Sequence, residues 1–141
     1  VVLNKKNQIF LAKRIDNPKN YWQMPQGGID HGEKFFEAAI RELEEETSIK
    51  TVSLIKELDR LTTYLLPDHL VGIIWKGKYK GQKQKWFVVR FDGEENEINI
   101  NTKNPEFLDW KWVNIDNLTD EVVNFKIHVY KEIQRELYKI I

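Results

Sequence analysis

Glu42, Glu45 and Glu46 stand at positions i, i+3 and i+4 of one segment. On a helix their side chains converge and repel one another by roughly 0.2–0.5 kcal/mol per pair. A hard divalent cation turns that repulsion into attraction. Mg²⁺ and Mn²⁺ take oxygen ligands, commonly a few carboxylates completed by water and substrate phosphate. A solvated acidic helix face accounts for the same three residues without a ligand. Arg41 adjoins the set, and Ala38 on the same side is small.

The charge pattern extends this reading. Lys+Arg and Asp+Glu number 22 each, so net charge alone points to no partner. Between Glu33 and Glu46 there are six acids and two bases, and between His69 and Phe91 six bases and no acid. An acidic and a basic pole suit a protein that handles a metal and a polyanion together, and equally suit two solvated faces. His31, His69 and His128 lack mutual ligand spacing and are read as structural or exposed.

The elements that must position these residues follow from periodicity. Glu33 to Ser48 is expected as a helix, with Phe36, Ala39, Ile40, Leu43 and Thr47 on one face and Glu42, Glu45 and Glu46 on another. Strands are expected at Val1–Leu3, Gln8–Arg14, Val52–Leu58, Leu61–Leu66, Trp86–Phe91 and Phe107–Val113. The strand at Trp86 is apolar almost throughout and so belongs inside a sheet. Leu70 to Trp75 is short and apolar, and Gly77 to Lys85 reads as a basic loop. Asp116-Asn117-Leu118 has the look of a helix start, and a last helix runs from about Phe125 to Ile140. Trp86, Trp110 and Trp112 are assigned to the core.

A length of 141 residues with 41% hydrophobic content supports one domain over 1–141 with its own core. The absence of cysteine excludes disulfide scaffolds, thiolate zinc sites and cysteine nucleophiles. No apolar run approaches the ~20 residues that span a bilayer. A cytoplasmic domain without a membrane partner is the expectation, with the monomer favoured. Val1 opens a strand-like stretch without a Met, so a trimmed N-terminus is expected.

The spacing upstream of the glutamates carries a resemblance. Gly27, five residues, Glu33, seven residues, then Arg41-Glu42-Leu43-Glu44-Glu45-Glu46-Thr47-Ser48-Ile49 resembles the box of the Nudix hydrolases over residues 27–49. Ser48 stands where the family has Gly. That residue follows the helix in a left-handed conformation, where Ser costs about 1 kcal/mol. The resemblance implies an α/β fold of α+β type, an α/β/α sandwich around a mixed β-sheet with a loop–helix–loop catalytic motif. It implies hydrolysis of a nucleoside diphosphate linked to another group, with two or more Mg²⁺ or Mn²⁺ ions. Glu42, Glu45 and Glu46 would hold metal, with the Gly27 carbonyl as a further ligand. Arg41 would brace the glutamates and Glu33 the loop. Glu45 or Glu46 would take the proton from the attacking water.

Further segments are similar to one subgroup, the bacterial RNA pyrophosphohydrolases and dinucleoside polyphosphate hydrolases. They are Trp22-Gln23-Met24-Pro25-Gln26-Gly27-Gly28, Gly81-Gln82-Lys83-Gln84-Lys85-Trp86-Phe87, Pro105-Glu106-Phe107 with Trp110-Lys111-Trp112, and Phe125-Lys126. Carried over by position, Glu106 would be a metal ligand from outside the box. Arg14, Gln82, Tyr64, Phe125 and Lys126 would serve the nucleotide cleft, with Lys83 and Lys85 near phosphate. The expected substrate is 5′-triphosphorylated RNA, which would lose pyrophosphate and keep a 5′-monophosphate, promoting mRNA decay. A dinucleoside polyphosphate cut asymmetrically is the enzymatic alternative. A binding module that stacks RNA without hydrolysis leaves the glutamates unexplained.

Overall fold

A computed structural model describes residues 1–16, 21–70 and 81–141. Residues 71–75 and Lys76, Lys78 and Lys80 of the expected basic stretch lie outside the described residues.

The strands are β1 (Val2–Leu3), β2 (Ile9–Arg14), β3 (Trp22–Gln23), β4 (Val52–Glu57), β5 (Thr62–Leu65), β6 (Gly81–Gln84), β7 (Phe87–Phe91) and β8 (Phe107–Val113). The helices are α1 (Phe35–Thr47) and α2 (Ile127–Ile140). Six strands form a mixed sheet in the order β3-β2-β1-β7-β4, with β8 on the other side of β2. β1 and β7 run parallel, and the other pairings in the sheet are antiparallel. β5 and β6 form a separate antiparallel pair.

Strand alternation sends neighbouring side chains to opposite faces. Leu3, Ile9, Leu11 and Val88 face one layer, where they meet Tyr130, Ile133 and Leu137 of α2. Val2, Phe10, Ala12 and Val89 face the other, where they meet Leu43 of α1. Burial on both faces explains why β7 is apolar almost throughout, and its place between β1 and β4 is the interior one its composition requires. The result is the expected three-layer α/β/α arrangement.

Four details differ from the sequence reading. α1 starts at Phe35 rather than Glu33, because Glu33 closes a turn with Asp30 through a 3.0 Å backbone bond. Gly81–Gln84 is a strand paired with β5, not loop. The expected helix start at Asp116 is a single 3₁₀ turn, Ile115–Asn117, and a second such turn, Asn124–Lys126, precedes α2. Trp86 is buried, whereas Trp110 and Trp112 are half-buried and lie against Phe10 with ring centroids 5.7 Å away.

Candidate active site

Gly27 follows β3 and lies against the helix that carries the glutamates. A β-carbon at residue 27 would stand 2.1 Å from Glu42 Cδ, so only glycine lets backbone and carboxylate come this close. The preceding segment is pinned from the α2 side, since Met24 N–H donates to the Tyr130 hydroxyl at 2.7 Å. The loop between Gly28 and Phe35 is tied to α1 by Arg41. Its guanidinium donates to both Glu33 oxygens (2.8 and 3.0 Å), to the Gly28 carbonyl (2.9 Å), to Glu42 (2.9 Å) and to Glu45 (3.2 Å). These bonds, with the Asp30 N–H, hold the Glu33 carboxyl below its ordinary range.

The three box glutamates do not share one exposed face. Glu45 is exposed and turned to Arg41, Glu42 is half-buried, and Glu46 is buried. Both Glu46 oxygens are buried without a hydrogen-bond partner. Burial, then the charges of Glu106 and Glu42, push its carboxyl up to about 9. Burial also raises the Glu42 carboxyl. Glu106 enters from the start of β8. Between Lys13 and Arg14 the β2–β8 register shifts, so that Lys13 faces Asp109 but Arg14 faces Phe107. This irregularity sets Arg14 Nη1 3.8 Å from Glu106.

Two cavities meet at these carboxylates. The larger, about 770 Å³, is lined by Arg14, Gln26, Gly27, Phe35, Gln82, Lys83, Gln84 and Lys85 as well as Glu42, Glu46 and Glu106. The smaller, about 550 Å³, is lined by Glu42, Glu45, Glu46, Glu106, Ser48, Thr102, Lys103 and Asn104.

Among the described residues no three acidic or histidine side chains already stand at metal-ligating separation. The donor set nevertheless suits a divalent cation. An unpartnered buried carboxylate flanked by two further acids is costly by itself and is relieved by positive charge.

The cleft residues expected from sequence divide into two groups. Arg14, Gln82, Lys83 and Lys85 line the larger cavity. Arg14 is already paired through two hydrogen bonds with Asp16, at 2.7 and 3.0 Å. Lys85 Nζ donates to the Leu58 carbonyl at 2.7 Å and lies 3.3 Å from Glu57. Tyr64 and Phe125 are not on the cavity wall. Tyr64 is buried and reaches the cleft through its hydroxyl on Gln82 Oε1 (2.9 Å), and Phe125 packs on the Tyr64 ring with centroids 5.6 Å apart. Lys126 is buried beside them, its ammonium over the Tyr64 ring and 3.4 Å from Gln26 Oε1. Burial lowers its pKa to about 8. Gln26, Gln84 and Asp16 were not singled out from sequence. The available signal was the alternation of Gln82 and Gln84, which puts two amides on one side of a strand.

Residues 1–133 match the family model of the NUDIX domain. The chain is 63% identical over 141 residues to an RNA pyrophosphohydrolase of Pelagibacter ubique, covering 100% of this chain and 89% of that protein. It is 43% identical over 142 residues to an RNA pyrophosphohydrolase of Wolbachia pipientis, covering 100% and 87%. Among solved structures, the dihydroneopterin triphosphate pyrophosphohydrolase of E. coli superposes with a TM-score of 0.74 at 21% identity, covering 96% of this chain and 92% of that one. An Ap4A hydrolase of C. elegans superposes with a TM-score of 0.62 at 22% identity, covering 99% and 90%. At these identities the likeness is one of fold.

Proposed function

This chain belongs to the Nudix family, and on that premise we propose that it is an RNA pyrophosphohydrolase that removes pyrophosphate from the 5′-triphosphate end of RNA. The observation that carries the reading is the Glu46 carboxylate, buried and unpartnered between Glu42 and Glu106 where two cavities join. The choice of RNA rests on the 63% identical relative, which aligns with the whole chain.

Nudix hydrolases depend on divalent metal. Here Glu42, Glu46 and Glu106 would hold Mg²⁺ or Mn²⁺, two or more ions, with Glu45 and the Gly27 carbonyl completing the set. Such ions would offset phosphate charge and lower the pKa of the attacking water. Arg41 keeps the glutamates and the 28–33 loop in register through its five hydrogen bonds. Water attacks phosphorus, the anhydride bond to the leaving pyrophosphate breaks, and the water proton passes to Glu45 or Glu46. Arg14, Lys83 and Lys85 offset phosphate charge along the larger cavity. Gln82 and Lys126, with Tyr64 and Phe125 behind them, shape the nucleotide end. All these groups come from one domain, residues 1–141, so the monomer suffices. The substrate would place the reaction in the cytoplasm. Among the described residues no helix is long and apolar enough to cross a membrane.

The two cavities flanking the carboxylates also favour a second reading. A dinucleoside polyphosphate could place one nucleoside in each and be cut asymmetrically. The deciding experiment compares kcat/KM on 5′-triphosphorylated RNA and on diadenosine tetraphosphate, with Mg²⁺, Mn²⁺ or chelator. Pyrophosphate release from RNA at the higher kcat/KM supports the first reading. A large advantage for the dinucleotide reverses the order, and turnover that survives chelation removes both.

A further inference from the structure

Arg14 is the last residue of β2 and stands between two carboxylates. The register shift after Lys13 sets it against the start of β8. The next residue ties the chain there once more, since Ile15 N–H donates to the Glu106 carbonyl at 2.9 Å. That backbone bond holds Arg14 and Asp16, on either side of Ile15, at a fixed place relative to Glu106. Asp16 takes the guanidinium side-on: Nε donates to Oδ1 at 2.7 Å and Nη2 to Oδ2 at 3.0 Å. Nη1 is left 3.8 Å from Glu106 Oε2, close enough for an ion pair and too far for a hydrogen bond. Arg14 and Glu106 both line the larger cavity, and Asp16 does not.

We propose that Asp16 is a positioning residue that holds Arg14 off Glu106 and so keeps Glu106 available to a divalent cation. The inference rests on the reading of Glu106 as a metal ligand. Two parallel charge-assisted bonds fix the plane of a guanidinium, whereas a single contact at 3.8 Å does not. The bonds from Arg14, first among the causes, also hold the Asp16 carboxyl below its ordinary range, so the grip persists at neutral pH. Without Asp16, the ion-pair partner left to Arg14 is Glu106, and a small rotation turns that contact into a hydrogen bond. A carboxylate engaged by arginine offers the same oxygens that a divalent cation needs. The cation must then displace Arg14 before it binds. With Asp16 in place, Arg14 keeps its charge on the cavity wall and leaves Glu106 to the metal.

The test titrates Mn²⁺ into the full chain without substrate, reading free Mn²⁺ by electron paramagnetic resonance, and beside it the Mg²⁺ dependence of turnover. Asp16 is exposed, so its variants are expected to fold. Asp16→Ala is expected to weaken Mn²⁺ binding on the order of fivefold, the scale of one well-aligned exposed ion pair. The half-saturating Mg²⁺ concentration should rise by a similar factor, with kcat at saturating Mg²⁺ unchanged. Asp16→Glu keeps a carboxylate within reach of Arg14 and retains most of the affinity. Removing Asp16 also removes a negative charge, which could weaken cation binding by itself, and an Arg14→Met background separates the two causes. In that background Asp16→Ala should have no further effect on Mn²⁺ binding. An equal loss with and without Arg14, or no loss in Asp16→Ala, overturns the inference. Glu106→Gln tests the reading beneath it. Unchanged Mn²⁺ binding there removes Glu106 from the ligand set and the inference with it, whereas weakened binding there beside an unaffected Asp16→Ala overturns the inference alone.

Discussion

Glu42 packs against the Gly27 backbone so tightly that residue 27 has no room for a β-carbon, which would stand 2.1 Å from Glu42 Cδ and 2.3 Å from Oε2. A flexible side chain could ordinarily swing away. This one is held by Arg41 at 2.9 Å on its other oxygen. Gly27→Ala should therefore displace the carboxylate rather than unfold the domain. Turnover is expected to fall at least tenfold, with a stability loss of only about 1 kcal/mol. Metal-dependent kinetics read beside thermal melting would check this, and near-normal turnover would show that the close approach has no bearing on activity.

Arg41 should not tolerate lysine. Its fork reaches Glu33 with two bonds while still serving Gly28, Glu42 and Glu45. An ammonium cannot span that set. Arg41→Lys is expected to lower kcat by roughly 10- to 100-fold. Much of the fold should survive, because Leu43 and Thr47 still bury the inner face of α1. Steady-state kinetics and circular dichroism separate the two effects.

Burying Glu46 costs stability, and on the proposed reading that cost serves metal binding. It has no hydrogen-bond partner and faces Glu42 and Glu106. In chelator, Glu46→Gln should therefore raise the unfolding free energy by roughly 1–2 kcal/mol while abolishing turnover. Added Mg²⁺ should stabilise the unaltered protein more than the variant. A destabilised variant with an unchanged response to metal would contradict the repulsion described here.

Ser48 ends α1 at φ 65°, the left-handed region. The strain is offset by a 2.8 Å bond from its hydroxyl to the Asn99 carbonyl. Ser48→Ala keeps the strain and loses the bond, a cost of about 1 kcal/mol. Ser48→Gly loses the bond and the strain together and should be nearly neutral. Chemical denaturation of the three proteins tests the order, and equal losses in both variants would refute it.

Part of the acid sensitivity should come from Glu97, which staples the segment after α1. Its carboxylate accepts from the Thr51 hydroxyl at 2.5 Å and from the Lys50 and Thr51 N–H groups at 2.9 Å each. These bonds, the hydroxyl first, hold its pKa below the ordinary 4.5. For a depressed carboxyl, the stabilisation is full above the unfolded value and disappears as pH falls through the folded one. After allowance for solvent screening, Glu97→Gln should cost about 1 kcal/mol at neutral pH. The melting difference between the two proteins should close below about pH 4. A difference independent of pH would point to packing rather than charge.

The family and the reaction class were legible in the chain because the residues that carry the Nudix resemblance are local. A helix period and one glycine place Gly27, Glu33, Arg41 and the three glutamates without knowledge of the rest. The layers were legible for a similar reason. Alternation in β2 separates Ile9 and Leu11 from Phe10 and Ala12, and a strand apolar on both faces has to lie between two coverings. Tertiary structure alone decided how the groups differ. Glu45 and Glu46 are neighbours in sequence, yet one lies in solvent on Arg41 and the other is buried against Glu106, sixty residues away in the chain. Hydrogen bonds likewise join the segment after β3 to β6 and to the approach to α2, and no local period can announce one between residues as distant as Gln26 and Lys126. Local sequence determines which side chains share a face. The environment of that face, and hence whether a carboxylate is paired, exposed or stranded, depends on what the rest of the chain packs against it.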